Sequence, residues 1–289
     1  TSNYWFDRQT ATEQYMESAE FVESETMFQR AAALGARSLL VTAKDKLRRL
    51  LSNGTTLSVS SEQPPEWVAR AAGEPPPVYS LEVNKWVIDA ARYALGQEPY
   101  DLVYLATTDF AMHTYAPEHP ESARHLALLD EAIAELVQSL AECQILITAD
   151  HGMSSKTRMI DLPTELARHG IRGQAVPLVK DRYTVHHSNL GGSIYVYLED
   201  GDPELALEVL NGIDGVDQAL PREQAAERFR LMAGRIGDIM VLGSQDVVFG
   251  DPEEVTLPPG LRSHGSLHEE RVPIIGCGGA FDGFEFREN

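Results

Sequence analysis

The chain has 289 residues, of which 43% are hydrophobic and 24% are charged, and its formal net charge is −20. Such a composition is typical of a globular protein with one large core, or with a core and a smaller cap. The large negative net charge repels nucleic acid and anionic lipid, so neither is an expected partner. No apolar run approaches the roughly 20 residues that span a bilayer, so the sequence predicts no membrane-spanning helix.

Cysteine usage and the first residues both favour a reducing compartment. Only Cys143 and Cys277 are present, each beside an apolar strand-like run, and we expect two core thiols rather than a disulfide. Neither cysteine has a CxxC spacing, so a thiolate metal site is not expected. The start, TSNYWFDRQT, is neither basic nor apolar enough for a signal peptide. These features together predict a cytoplasmic protein.

Helices alternate with apolar, β-branched strands over the first half of the chain. The first helix has Ser24 as its expected N-cap and a glycine at its end. The predicted helices cover 24–35, 44–54, 81–97 and 120–140, and the predicted strands cover 36–43, 101–109 and 144–150. This order predicts a doubly wound α/β fold, with a mainly parallel sheet sandwiched by helices.

The pattern changes between 172 and 230. The segment GGSIYVYLED alternates like an antiparallel strand, and DPELALEVLNGI, which follows it, has helical spacing. Further on, 236–244 and 271–278 resemble core strands again. We therefore expect one core domain, formed by 1–171 and 231–289, that carries a small inserted α+β cap at 172–230.

Candidate metal ligands follow two of the predicted strands. Asp109 ends the strand DLVYLATTD, and His113 is four residues further, on the same face if the chain turns helical there. Asp150 ends the strand QILITAD, His151 follows it, and a glycine that permits a tight turn comes next. In open α/β sheets, ligands bind at the carboxyl ends of the strands. These positions therefore predict a shared site.

A third group lies in LRSHGSLHEE, where His264 or His268 offers one more imidazole. Carboxylate oxygen with imidazole nitrogen suits zinc or a similar divalent ion, and a pair of ions stabilises attack on phosphorus. Each motif also has an ordinary explanation. A DxxxH spacing is common by chance, Asp-Gly turns end many strands, and a lone histidine is more often a surface residue. The combination favours metal binding.

The motifs TTDFAMHTYAPEHPE, ITADHGM and RSHGSLHEERVPII resemble the metal-binding series of the alkaline phosphatase superfamily. Within it, the chain is similar to the branch of nucleotide pyrophosphatase/phosphodiesterases and phosphonoacetate hydrolase. The resemblance implies two divalent ions, with zinc as the expected metal. It implies that Asp109, His113 and His264 bind one ion, and that Asp150 and His151 bind the other. His264 is preferred to His268 because the family motif is Ser/Thr-His-Gly.

Two further segments carry the resemblance. SNYWFDRQTAT is similar to a family segment in which an asparagine contacts a phosphoryl oxygen, which implies that role for Asn3. VTAKDKLRRLL is similar to a segment whose two lysines hold the substrate carboxylate, which implies that role for Lys44 and Lys46. Without the resemblance, two solvated lysines on a first helical turn would be the simpler interpretation.

The family's nucleophilic threonine and one aspartate ligand, with the first strand of the sheet, fall upstream of Thr1. The resemblance therefore places no nucleophile within this chain, and we expect one in an upstream segment. The predicted activity is zinc-dependent hydrolysis of the carbon–phosphorus bond of phosphonoacetate to acetate and phosphate. A phosphodiesterase or nucleotide pyrophosphatase is the enzyme alternative, and an inactive metal-binding fragment or shortened relative is the third.

The expected ligand is a small anionic organophosphonate or phosphate ester, and a homodimer is compatible with the sequence. His186 and His187, in YTVHHSNLG, are ordinary loop residues in the simpler interpretation and line the pocket in the alternative.

Overall fold

The computed structural model describes residues 3–10, 12–140, 142–183, 187–279 and 281. By its internal contacts the chain divides into two compact units. The first unit is Met16–Ile145, and the second unit is Thr1–Tyr15 together with Leu146–Asn289. Each unit has its own hydrophobic core, and both mix helices with strands. The protein therefore has the α/β fold that the sequence predicts.

The helices and strands follow the chain in an order close to the predicted one. The strands are β1 Tyr4–Asp7, β2 Thr12–Tyr15, β3 Ser38–Thr42, β4 Leu57–Ser60, β5 Leu102–Ala106, β6 Ile145–Thr148, β7 Ser154–Ser155, β8 Arg158–Ile160, β9 Arg172–Pro177, β10 Ser193–Asp200, β11 Val216–Pro221, β12 Ile239–Gly243, β13 Val247–Phe249, β14 Arg262–Ser263 and β15 Ile274–Cys277. The α-helices are α1 Met27–Ala33, α2 Asp45–Leu51, α3 Glu66–Ala72, α4 Glu82–Gln97, α5 Phe110–Thr114, α6 Pro120–Ser139, α7 Leu162–Ala167, α8 Pro203–Asn211 and α9 Arg222–Phe229.

The first unit is built on a parallel sheet with the order β4-β3-β5. All five residues of β3 are buried, which is why its centre is the apolar run Leu39, Leu40 and Val41 rather than an alternating pattern. Helix α4 packs Trp86, Val87 and Ala91 into the same core cluster as Val41. The carboxyl ends of β3 and β5 lie side by side, because Thr42 pairs with Ala106. The residues that follow these two strands therefore meet at one edge.

Helix α1 begins later than the sequence suggested. Its N-cap is Thr26 rather than Ser24: the Thr26 hydroxyl accepts a hydrogen bond from the Gln29 amide, and the Gln29 side chain accepts one from the Thr26 amide. This reciprocal capping box satisfies two backbone donors at the start of α1.

The second unit contains a four-stranded antiparallel sheet with the order β11-β12-β10-β9. Alternate residues of β10 face opposite sides of the sheet. Ile194 and Val196 belong to a core cluster with residues of α7 and α8, and Tyr195 and Tyr197 belong to another with Ala225 of α9. Both faces of this sheet are therefore covered.

The remaining strands form pairs. β13 runs parallel to β8, while β14 and β7 are antiparallel, and β1 pairs with β2 as an antiparallel ribbon. β15 pairs with β6. The predicted cap at 172–230 stays a prediction. Its strands β9, β10 and β11 share a sheet with β12, which the sequence had assigned to the core.

The prediction of two core thiols was wrong, since neither cysteine is fully buried. Both cysteines are free thiols, Cys143 is half-buried and Cys277 is exposed. Cys277 ends β15, whose four residues are all exposed, so an apolar run did not guarantee burial here. Within the described part of the chain, no helix is long and apolar enough to cross a membrane.

Candidate active site

Asp109 and His113 form the first donor pair, just beyond the end of β5. Asp109 is the N-cap residue of α5, and the His113 amide donates to its carbonyl oxygen at 3.2 Å. The helical turn predicted after Asp109 is therefore present. It brings His113 Nε2 to 3.1 Å from Asp109 Oδ2, and the His113 side chain is fully buried. An oxygen and a nitrogen donor thus converge at the carboxyl end of a parallel strand.

Asn84 of α4 fixes the backbone just before this pair. Its side-chain amide donates to the Thr108 carbonyl oxygen, and its oxygen accepts from the Thr108 amide, both at 2.8 Å. Asn84 is 1% exposed, so these bonds have no competition from solvent. Such a two-point contact holds the peptide that precedes Asp109 in one orientation.

Lys44 lies beside Asp109. Lys44 is the N-cap residue of α2, it follows β3, and its Nζ is 3.9 Å from Asp109 Oδ1. Lys46 is only 6% exposed, in contrast to the solvated lysine of the simpler interpretation. The two lysines follow β3 and Asp109 follows β5, and those strands are paired. The first unit therefore gathers Lys44, Asp109 and His113.

Asp45, between the two lysines, is a buried carboxylate with several donors. Its Oδ1 accepts from Arg48 Nε at 2.6 Å and from the Ser60 hydroxyl at 2.7 Å, and Arg49 Nε lies 3.1 Å from Oδ2. Burial alone raises the pKa of this carboxyl. The hydrogen bonds from Arg48 and Ser60, with the charges of the two arginines, outweigh burial and hold the pKa below its ordinary value of 3.8.

Asp150 and His151 form the second donor pair, in the second unit. His151 Nε2 lies 3.6 Å from Asp150 Oδ2, and His151 Nδ1 lies 2.9 Å from the Gly152 carbonyl oxygen. In the tautomer with a proton on Nδ1, that nitrogen donates to the carbonyl and Nε2 is left as a metal donor. The backbone around Gly152 therefore favours the tautomer that a metal ligand needs.

His264 faces His151 across a ring stack. The two imidazole centroids are 3.5 Å apart and the ring planes differ by 7°. The His264 carbonyl oxygen accepts from the Gly192 amide at 2.8 Å, and the buried Ser263 hydroxyl donates to the Leu190 carbonyl oxygen at 2.6 Å. These bonds tie the His264 loop to the start of β10.

The donor distances fit a divalent metal. A tetrahedral zinc ion bound at about 2.1 Å holds its donor atoms about 3.4 Å apart. The separation within the Asp109–His113 pair is 3.1 Å and that within the Asp150–His151 pair is 3.6 Å, so each pair matches one edge of such a tetrahedron. The donors are carboxylate oxygen and imidazole nitrogen, which zinc accepts.

The other predicted positions have the following surroundings. Asn3 is half-buried just before β1. His187 is buried, and its Nδ1 accepts from the Asn189 amide at 2.9 Å. His268 is exposed and lies 2.7 Å from Asp217 Oδ2. His186 falls outside the described residues.

The sequence did not single out Asn84, which holds the peptide before Asp109, or three buried charged residues: Asp45, Lys156 and Glu269. Asn84 occupies a helix position with apolar neighbours, where a buried polar residue is a signal that a partner exists. The other three are charged residues in segments rich in charge. Nothing in their local sequence distinguishes them from solvated ones.

Comparison with known proteins identifies the family. The model of the family described as type I phosphodiesterase / nucleotide pyrophosphatase matches residues 1–267. Two crystal structures of phosphonoacetate hydrolase from Sinorhizobium meliloti 1021, one with phosphonoacetate and one with phosphonoformate, share 34% identity with this chain at a TM-score of 0.87. The matches cover 96% and 95% of this chain respectively, and 73% of the other chain.

More distant structures share the fold. Human ectonucleotide pyrophosphatase/phosphodiesterase 5 has 15% identity and a TM-score of 0.63, over 95% of this chain and 70% of its own. The predicted superfamily is confirmed by the family model and by the 34% identical structures, and the α/β fold is confirmed by the structural matches. Enzymes of this superfamily use divalent metal ions.

Proposed function

Since the chain belongs to the type I phosphodiesterase / nucleotide pyrophosphatase family, we propose that it hydrolyses the carbon–phosphorus bond of phosphonoacetate. The products are acetate and phosphate. One observation carries this choice within the family: Lys44 Nζ lies 3.9 Å from Asp109 Oδ1, so a cation stands beside a metal-ligand candidate. Phosphonoacetate has a carboxylate close to its phosphorus, and that carboxylate needs a cation.

We assign the metal donors as the family resemblance implies. Asp109, His113 and His264 bind one ion, and Asp150 and His151 bind the other, with zinc as the metal. Two such ions supply Lewis-acid stabilisation of the charge on the phosphoryl oxygens and of the attacking and leaving groups. The two donor pairs support the assignment, because each brings an oxygen and a nitrogen donor to a spacing that suits zinc. The ring stack places the imidazole of His264 beside that of His151.

The protein side chains bind and orient the substrate. Asn3 donates to a phosphoryl oxygen, and the ammonium groups of Lys44 and Lys46 bind the carboxylate. A threonine hydroxyl, expected upstream of Thr1, attacks phosphorus in line with the bond to carbon. The electron pair of the broken bond passes to the methylene carbon and delocalises into the carboxylate. A proton from water then gives acetate, and water cleaves the phospho-enzyme to phosphate.

The two lysines have a larger effect in the transition state than in substrate binding alone. The carboxylate gains charge as the carbon–phosphorus bond breaks, so cations placed against it stabilise the leaving carbanion. An ester substrate has an oxygen leaving group and no such requirement. The burial of Lys46 strengthens the effect, since charges interact more strongly away from solvent.

A phosphodiesterase or nucleotide pyrophosphatase activity is the second candidate, because the matched family carries that description. The deciding experiment measures phosphate release from phosphonoacetate, and nitrophenol release from a nitrophenyl phosphodiester, with the full-length gene product loaded with zinc. We expect turnover of phosphonoacetate. Cleavage of the diester without turnover of phosphonoacetate would reject the proposal in favour of the second candidate.

The third candidate is a metal-binding protein without turnover. Zinc content measured by elemental analysis, combined with the two assays, identifies it: bound zinc with no product from either substrate. The expected ligand class is the same in all three cases, a small anionic organophosphonate or phosphate ester.

A further inference from the structure

Lys156 and Glu269 form an ion pair inside the second unit. Lys156 Nζ is 3.1 Å from Glu269 Oε1, and the two side chains are 0% and 1% exposed. Lys156 Nζ also donates to the Gln245 carbonyl oxygen at 2.8 Å. A buried ion pair is often no more stabilising than apolar residues of the same volume, because both charges lose their hydration. Its presence therefore calls for another explanation than stability.

Glu269 contacts both loops that carry the stacked histidines. Its Oε2 accepts from the Ser266 amide at 2.9 Å and from the Ser266 hydroxyl at 2.7 Å. Its backbone carbonyl oxygen accepts from the Gly152 amide at 2.6 Å. Ser266 comes two residues after His264, and Gly152 directly follows His151. One residue thus holds the chain next to each imidazole.

The contact with His151 continues through the same peptide. The Gly152 amide is bound to Glu269, and the Gly152 carbonyl oxygen lies 2.9 Å from His151 Nδ1. A shift of Glu269 therefore moves the acceptor that orients the His151 ring. Lys156 fixes Glu269 in turn, since its ammonium group is bound to Glu269 and to Gln245 and is shielded from solvent.

The loop that carries His264 and Ser266 is closely packed. A Cβ atom at Gly192 would lie 2.9 Å from the Ser266 amide nitrogen and 3.4 Å from Lys156 Nζ. The Gly192 amide itself donates to the His264 carbonyl oxygen at 2.8 Å. The start of β10, the Ser266 turn and Lys156 are thus in close contact. The absence of a side chain at Gly192 is what permits this approach.

From these contacts we infer that Lys156 and Glu269 are a positioning pair, which sets the spacing and parallel alignment of His151 and His264 for metal binding. The inference rests on the proposed metal site. Burial lowers the pKa of Lys156, although its contact with Glu269 opposes that shift. A charged pair is suited to this role because its hydrogen bonds are directional and strong in a dry environment.

The experiment compares zinc affinity in three forms of the full-length protein: wild type, Glu269→Gln, and the double variant Lys156→Met with Glu269→Met. Glu269→Gln keeps the side-chain shape and removes the charge that Lys156 requires. The double variant removes both charges and leaves none unpaired, so it is expected to fold even if the single variant does not. Affinity is measured by competition with a chelator.

We expect the zinc affinity to fall about tenfold or more in both variants, as for other residues that orient metal ligands. The visible spectrum of the cobalt-loaded protein should change as well, since it reports the arrangement of donors around the ion. A purely structural pair would lower the melting temperature and leave both the affinity and the spectrum unchanged.

Arg222→Met is the matched control. Arg222 forms a half-buried ion pair with Asp238 in the same unit, and no hydrogen bond is described between this pair and Glu269, Ser266 or Gly152. The Arg222→Met variant should be less stable than wild type and should have the same zinc affinity. Equal zinc affinity and cobalt spectra in wild type and the double variant would overturn the inference alone. A wild-type protein that binds no zinc would overturn the proposed metal site, and the inference with it.

Discussion

The imidazole rings of His151 and His264 are stacked, with centroids 3.5 Å apart and planes 7° from parallel. His151 follows β6 and His264 follows β14, so only the folded chain brings them together. Ions in two-metal sites are about 3.5–4 Å apart. Two parallel rings at this spacing suit the proposal that each histidine serves a different ion.

Replacement of His264 should remove one of two zinc ions. We expect His264→Ala to bind about one equivalent tightly, because Asp150 and His151 remain, whereas the ion bound by Asp109 and His113 loses a third donor. Elemental analysis after dialysis gives the stoichiometry. His268→Ala is the matched control, since His268 lies in the same loop but is exposed and paired with Asp217. An equal zinc loss in both variants would contradict the assignment of His264.

Replacement of Lys44 or Lys46 by alanine should lower the activity towards a substrate that has a carboxylate. We expect kcat/KM for phosphonoacetate to fall at least about tenfold, the value of one charge-assisted contact of roughly 1.4 kcal/mol. For a nitrophenyl phosphodiester, which has no carboxylate, the change should be small. Steady-state kinetics of the full-length protein provides both values.

Lys85→Ala is the control for these lysines, because Lys85 pairs with Asp89 on α4 in the same unit. Its kinetics should equal those of wild type. If Lys44→Ala and Lys46→Ala lowered the two activities by the same factor, the lysines would have no role in carboxylate recognition.

Asp45→Asn should destabilise the first unit at neutral pH. The variant loses a buried carboxylate that accepts from Arg48 and Ser60, and we expect about 2 kcal/mol less free energy of unfolding. Because the folded-state pKa of Asp45 lies below its ordinary value of 3.8, this contribution is complete above that value. It disappears as the pH falls through the folded-state pKa. Urea titrations from pH 7 to pH 3 measure the difference.

The control for Asp45 is Glu66→Gln, which breaks an exposed ion pair with Arg70. Exposed pairs contribute little, so we expect a change below about 0.5 kcal/mol at any pH. A stability difference between wild type and Asp45→Asn that stayed constant down to pH 3 would show that the carboxylate charge is not its source.

His125→Leu should stabilise the protein, and more so at mildly acidic pH. His125 of α6 is 1% exposed, and its Nδ1 has no hydrogen-bond partner among the described residues. We expect a gain of about 1 kcal/mol at pH 7, because an unsatisfied buried polar atom is removed. Thermal unfolding followed by circular dichroism measures it.

The pH dependence follows from the lowered pKa of His125. Burial lowers it below the ordinary 6.5, so the unfolded chain takes up a proton that the folded chain does not. Wild type should therefore lose stability as the pH falls from about 6.5 towards the folded-state pKa, and His125→Leu should lack this loss. His169→Gln, at an exposed position, should retain it. Parallel pH profiles for wild type and His125→Leu would contradict the prediction.

Much of the architecture followed from local sequence. The buried strand β3 was predicted from its apolar run, and α4 and α6 from their helical spacing, because burial and periodicity are properties of neighbouring residues. The position of Asp109 and His113 on one helical turn was also predictable, since four residues complete about one turn. The N-cap of α1 and the exposure of β15 were not predictable. The N-cap depends on which side chain bonds the first amides of the helix, and the exposure depends on whether another segment covers the strand.

The sequence by itself determined which residue types could carry the chemistry: two Asp–His motifs at strand ends, a Ser-His-Gly motif, and two lysines after a strand. Only the tertiary structure decided that His151 and His264 are stacked, that Lys44 lies beside Asp109, and that Lys156 and Glu269 are paired out of solvent. The physical reason is that burial and pairing of a charged residue depend on contacts between distant segments. The sequence alone does not distinguish a charged residue that water solvates from one that pairs with another side chain in the interior.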